Sequence, residues 1–333
     1  MFSGLFIRIE PKGANFVKGP WRNQSPLQAR ATWGERAIKD ARKHVYIYVM
    51  AIPMLVYYLL FCYAPMYGAI IAFKDFYPKL GIMGSPWAGM KHFVNFFHNV
   101  YFSRLLGNTV ILSMLNLIFG FPAPILLAIL LNEVRQSWFK RTVQTVSYLP
   151  HFISVMVICG MIVDFTSSQG VIHDLLALFG VKRQTMLLNP ALFRTIYVIS
   201  EIWQGMGWGS IVYLAALTAI DPQLYEAARM DGAGKLRQIW HVTLPGIMPT
   251  IVVMLILKLG SMMSIGSEKI LLLYNSNTYS TADVISTFVY RKGLLEANYS
   301  FSTAVGLFNS VINFALVLMA NIISRKVNET SLW

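Results

Sequence analysis

An all-α polytopic membrane protein with six transmembrane helices is what this sequence predicts, on three observations. Of its 333 residues, 56% are hydrophobic and only 13% charged, about half the charge of a soluble domain. The apolar residues gather into six stretches, each long enough to cross ~30 Å of hydrocarbon as a helix. The basic residues gather on one side of those stretches. A net charge of +13 would point to nucleic acid in a soluble chain, but here its distribution reads as membrane topology.

The expected spans are about 46–73, 105–131, 142–163, 195–220, 246–266 and 301–324. The first, second and sixth hold no charged residue, while the fourth holds Glu201 and the fifth Lys258. The second contains Pro122 and Pro124, and the third carries His151 beside Pro150. Six spans put both termini on one side. The segments 1–44, 132–141, 221–245 and 325–333 together hold 17 Lys and Arg, against 9 on the opposite face. By the positive-inside rule both termini and the loop 221–245 are cytoplasmic. The domain reading is therefore a basic N-terminal arm (1–44), a six-helix membrane domain (45–324) and a short cytoplasmic tail (325–333).

The arm mixes Pro11, Gly13, Gly19, Pro20 and Pro26 with basic residues and reads as irregular. Its end, 33–44, has the pattern of a basic amphipathic helix on the membrane surface. An apolar patch near Met1 is interrupted at Arg8, so no cleavable signal peptide is expected. Cys62 and Cys159 both fall inside spans and read as packing residues rather than a disulfide or metal pair. On the outer face, 171–179 has apolar residues at helical spacing and stops at Gly180. Asn189-Pro190 is the start signal of the fourth span.

The loop 221–245 is the most informative stretch. Asp221 before Pro222 is an N-cap and first-turn pair, predicting a helix from Pro222 to about Asp231. Gly232 and Gly234 break it, a second short helix covers 235–243, and Pro245 ends that one ahead of the fifth span. The result is a compact knob with Ala227 and Ala228 on its surface, ringed by Glu226, Arg229, Asp231 and Arg237. Such a knob suits insertion into a groove on another protein, and a plain amphipathic hairpin at the interface fits equally well.

Glu226-Ala227-Ala228-Arg229-Met230-Asp231-Gly232-Ala233, with Val242-Thr243-Leu244-Pro245 further on, resembles the EAA loop of the permease subunits of binding-protein-dependent ABC importers. The spacing fits without insertion, and the likeness of pattern extends through Gly170, Asn189-Pro190, Trp203 and Gly207 to cover about residues 100–320. Gly234 departs from it, since related sugar permeases often carry a polar residue there. The chain is most similar to the polysaccharide-type carbohydrate permeases with a long basic arm. That resemblance implies import of an oligosaccharide, an acidic one such as an alginate fragment included. It also implies a second permease, a different chain, beside this one, with two cytoplasmic ATPase subunits below and an extracytoplasmic solute-binding protein above. Glu226, Ala227, Ala228, Arg229, Asp231, Gly232, Leu244 and Pro245 would then form the ATPase-coupling element. ATP and Mg belong to the partner ATPase. This chain lacks a Walker A loop, because Gly234-Lys235 is succeeded by Leu236, so it is expected to be no enzyme and to carry no cofactor. The histidines show no metal-ligand spacing.

Polar groups inside spans are costly and often functional. Glu201, Gln204, Lys258, Ser261, Asn309 and Asn313 are the translocation-path candidates, with Trp203 as an aromatic platform for a sugar ring. Asn309 and Asn313 share one helix face. Lys258 either favours an acidic sugar or neutralises Glu201. Interhelical hydrogen bonding is the rival reading for each of these residues. Two other classes compete with the importer subunit. A secondary transporter or channel would need inverted repeats, and none is visible. A membrane scaffold recruiting a cytoplasmic partner would not need polar faces in spans four to six.

Overall fold

The computed structural model describes residues 42–180 and 183–328. The expected irregular arm, almost all of its amphipathic end, and most of the C-terminal tail lie outside the described residues. Two compact units divide between Ala64 and Pro65, inside the first expected span. In the first unit, α1 (Val45–Tyr58) buries none of its side chains, and Cys62 is exposed.

The second unit contains α2 (Lys91–Phe97), α3 (Phe102–Leu115), α4 (Pro122–Glu133), α5 (Ser137–Tyr148), α6 (Val155–Thr166) and α7 (Val171–Ala177). It continues with α8 (Pro190–Thr218), α9 (Pro222–Met230), α10 (Lys235–Gln238), α11 (Leu244–Gly260), α12 (Ser267–Leu273), α13 (Ile285–Tyr290) and α14 (Tyr299–Asn328). Five helical stretches among the described residues are long and apolar enough to cross a membrane: Val45–Phe73, Phe102–Glu133, Val155–Ala177, Lys235–Gly260 and Tyr299–Lys326. The expected fourth span falls on α8, a helix of 29 residues that reaches roughly 44 Å. Arg194, Glu201, Gln204 and its glycines keep it less apolar than the other five.

Two expected boundaries are corrected. The third span does not run through 142–163, because Pro150 sits in a tight turn (Leu149–Phe152) and Ser154 then caps a new helix by accepting the Val157 N–H. The apolar stretch accordingly starts at Val155 and takes in α7. The fifth span stops at Gly260 instead of residue 266, and Pro245 does not end the short helix before it. The backbone continues from α10 into α11 through a widened turn in which the Leu244 N–H reaches the Ile239 carbonyl.

The same device recurs. The Ala64 N–H reaches Leu59, and the Phe121 N–H reaches Asn116. In each case the next residue is proline: Pro65, Pro122 and Pro245. Proline offers no N–H, and its ring crowds the carbonyl four residues back. A one-residue slip to five-residue hydrogen bonding relieves that crowding while keeping the helix continuous.

Four apolar clusters hold the second unit together, the smallest formed by Ala72, Phe93 and Ala304. Leu112, Ile158, Cys159, Phe193, Tyr197 and Ile270 join α3, α6, α8 and α12. Phe96, Leu105, Met263, Phe288 and Phe301 join α2, α3, α13 and α14 to the turn after α11. Here Phe96 meets Phe102 and Phe308 edge to face, with ring centroids 5.1 and 5.4 Å apart, the arrangement that ring quadrupoles favour. Ile125, Ala128, Tyr213, Leu217 and Ile247 join α4, α8 and α11, directly above the 221–245 loop.

Candidate functional site: a braced surface loop and a polar recess between helices

The loop 221–245 takes its shape from its own residues. The Asp221 carboxylate accepts the Gln223 N–H at 2.9 Å, capping α9. At the far end Gly232 adopts φ +74°. The Ala233 N–H donates to the Ala228 carbonyl at 2.8 Å and the Gly232 N–H to Arg229 at 3.0 Å. This is the paired-bond helix stop that a left-handed residue completes. A Cβ at Gly232 would meet nothing within 4 Å, so the position requires glycine for its backbone angle alone. Gly232→Val should weaken this helix end by about 1–2 kcal/mol without changing membrane insertion. Hydrogen exchange at Ala233 and Gly232 measures it.

Three contacts brace the loop. Lys235 pairs with Glu133 at the end of α4, the Tyr225 hydroxyl lies 3.1 Å from Thr243 Oγ1, and Gln238 Nε2 donates to the Ala233 carbonyl at 2.7 Å. Between α4 and the loop lies a recess of about 260 Å³ lined by Glu133, Tyr225, Glu226, Arg229, Lys235 and Gln238. The outer surface carries Glu226, Ala227, Arg229, Asp231 and Gly232, with Ala228 among them. Leu224, Met230, Leu236 and Trp240 are exposed beside them. Leu244 packs on the rim of the third cluster, and Pro245 is exposed.

Of the seven expected path residues, the structure groups only some. Glu201, Lys258 and Ser261 line a polar recess of about 110 Å³ together with Ser113, Asn116 and Ser264. Glu201, Lys258, Ser261 and Asn116 also line an adjoining space of about 370 Å³. Asn313 and Asn309 stand one residue behind this wall. Their Nδ2 groups face Ser264 Oγ at 2.9 and 3.4 Å, and Asn313 Oδ1 accepts the Met263 N–H at 2.9 Å. They fasten α14 to the turn after α11.

Trp203 is separated from this group, since two residues along a helix is a rotation of about 200°. It lines an apolar groove with Phe165 and Ile199. Gln204 is half-buried and lines neither polar space. Trp208, five residues beyond Trp203 along α8, is stacked on His151 with centroids 4.7 Å apart.

Lys258 does not neutralise Glu201. The partner is Lys269 on α12, 2.7 Å away and with its side chain only 3% exposed. A span drawn through 266 leaves Lys269 in a loop, which hides it from a search for charges inside spans. Its position between the apolar residues Met262, Met263 and Ile265 and the run 270–273 is the signal that marks it.

At the other end of α8 lies a second charged centre that the sequence does not announce. The fully buried Asp283 accepts from Arg291 at 2.7 and 2.8 Å and from Thr287 at 2.8 Å, with Arg104 at 3.5 Å. Asn108 Nδ2 donates to the Asp283 carbonyl at 3.0 Å, and Arg194 donates to Asn108 Oδ1 at 2.8 Å. One short segment around Asp283 thus ties α3, α8 and α13 together.

Residues 120–329 match the family model described as binding-protein-dependent transport system inner membrane component. The chain is 48% identical over 289 residues to the polygalacturonan/rhamnogalacturonan transport system permease protein YteP of Bacillus subtilis (strain 168), covering 86% of this chain and 90% of that one. It superposes on a chain from a bacterial ABC transporter involved in the import of the acidic polysaccharide alginate with a TM-score of 0.82 and 45% identity, covering 88% of this chain and 100% of that one. A crystal structure of the bacterial alginate ABC transporter in complex with alginate pentasaccharide-bound periplasmic protein gives a TM-score of 0.83 at 44% identity, covering 90% of this chain and 100% of that one. With an all-helical membrane fold and a family match across most of its length, this chain belongs to the binding-protein-dependent transport system inner membrane components, the permeases of ABC importers.

Proposed function

We propose that this chain is the membrane-crossing subunit of an ATP-driven importer that passes an acidic oligosaccharide from an extracytoplasmic binding protein to the cytoplasm by alternating access. It works beside a second, different permease chain and above two ATPase subunits that hold ATP and Mg, with both termini and the 221–245 loop cytoplasmic. The observation that carries the reading is the loop itself. Its exposed charges and apolar side chains sit on a loop tied to α4 through Lys235–Glu133 and to the turn before α11 through Tyr225–Thr243, so a push on the loop is transmitted to α4 and α11 together. A floppy hairpin would absorb that push. The relatives add the substrate class, since polygalacturonan and alginate are both polymers rich in carboxylates.

Glu226→Lys tests it. Glu226 is exposed and its side chain braces none of the contacts described above, so folding and membrane insertion should be unchanged. Uptake of oligosaccharide should fall by more than about tenfold, the loss of one charged contact at a docking surface, and the ATPase should no longer co-purify or should hydrolyse ATP without regard to substrate. Wild-type uptake with normal ATPase retention would sink the coupling role.

A further inference from the structure

The polar recess between α3, α8 and α11 bears on what is carried, and this inference rests on the importer reading above. Glu201 is already matched by Lys269 at 2.7 Å. Lys258 lines the same recess but forms no ion pair among the described residues, and it is exposed. With Glu201 already paired to Lys269, which lies outside the lining, the charge of Lys258 is left unmatched in the recess. Lys258 lies in the last turn of α11, two residues before the end of the apolar stretch Lys235–Gly260. A lysine within such a stretch turns its ammonium toward water, a protein partner or an anion rather than toward acyl chains.

The surroundings are those of a sugar site. Asn116 and Ser261 offer hydrogen-bonding groups on both sides of the shared wall. Gly205 lines the larger space, and an added Cβ there would meet nothing within 4 Å, so the wall is open to a ring lying against it. The larger space, about 370 Å³, falls within the roughly 300–1,000 Å³ of small-ligand sites. We propose that Lys258 is the carboxylate-selecting residue of a substrate subsite in this recess. Its ammonium takes a uronate carboxylate of the passing oligosaccharide, while the Glu201–Lys269 pair holds the wall.

The permease and ATPase assembly in lipid nanodiscs, without binding protein, tests this by equilibrium binding of trigalacturonate and of the same trisaccharide methyl-esterified. Wild type should bind the acid more tightly than the ester. Lys258→Gln should weaken the acid by about tenfold or more, the worth of a charged hydrogen bond, and leave the ester within about twofold. Lys258→Arg should restore preference for the acid. Equal loss of both sugars in Lys258→Gln would make Lys258 a structural residue, and unchanged acid binding would remove it from the site; either overturns the proposal. Wild type binding the ester but not the acid, or neither sugar, would instead overturn the acidic-substrate reading on which the proposal stands.

Discussion

Gly207→Ala should abolish accumulation of the folded protein, whereas Gly205→Ala, two residues away on the same helix, should be tolerated. A Cβ built on Gly207 would lie 2.0 Å from the Ser147 carbonyl oxygen, 2.3 Å from its carbon and 2.9 Å from the Tyr148 nitrogen. All three atoms are backbone, at the point where α5 turns into the Pro150 break, so no side chain can swing aside. The contact places α8 directly against the main chain of α5, and His151 stacks on Trp208 one residue further on. Overpacking against yielding side chains costs about 1–3 kcal/mol. Against fixed backbone the loss should be at least the top of that range. Gly205 has open space instead, and alanine there should shift stability by less than about 1 kcal/mol. Thermal unfolding of the purified complex in detergent, with membrane levels measured by immunoblot, compares the two. Equal tolerance at both positions would mean that α8 does not approach α5 this closely.

Asp283→Asn should be the most damaging change to a single charge. The substitution keeps shape and most hydrogen-bonding capacity but removes the negative charge that faces Arg291 and Arg104. Arg291 is largely buried, with its side chain 20% exposed, and removing one member of a buried pair costs about 3–5 kcal/mol. Arg104→Gln should cost much less, since its side chain is 35% exposed and 3.5 Å from Asp283. A double-mutant cycle with Arg291→Gln separates these cases. Each single change should be severe, and the double should cost little more than either, giving a coupling energy well above 1 kcal/mol. Additive losses would show that the two residues act independently. Uptake should track stability, because this network lies at the end of α8 opposite the 221–245 loop and ties α3, α8 and α13 together.

The features legible before folding are those encoded within a few residues. Asp221 and Asn189 each accept a backbone N–H two residues on, so their caps need no distant partner. Gly232 is required by the backbone angle of its own helix stop, and the loop motif around it is contiguous in sequence. The expectation of a helical membrane protein comes from length and apolar content, which are additive along the chain. Boundaries are less legible where a proline has two outcomes. Pro150 breaks the expected third span, while Pro245 is absorbed by a widened turn. The residues C-terminal to each proline make the difference, a Ser154 cap in one case and a continuous apolar helix in the other.

The partners of buried charges are not legible at all. Glu201 could have met Lys258 or Lys269, and Asp283 lies 179 positions from Arg104. A charge carries no local mark of its partner, because the Coulomb energy depends on distance and burial in the folded bundle. The sequence by itself thus determined that this is an all-helical membrane permease with a shaped surface loop. Only the tertiary structure decided which charges cancel, leaving Lys258 without a carboxylate in a polar recess. Helix formation is governed by neighbours in the chain, and charge pairing by neighbours in space.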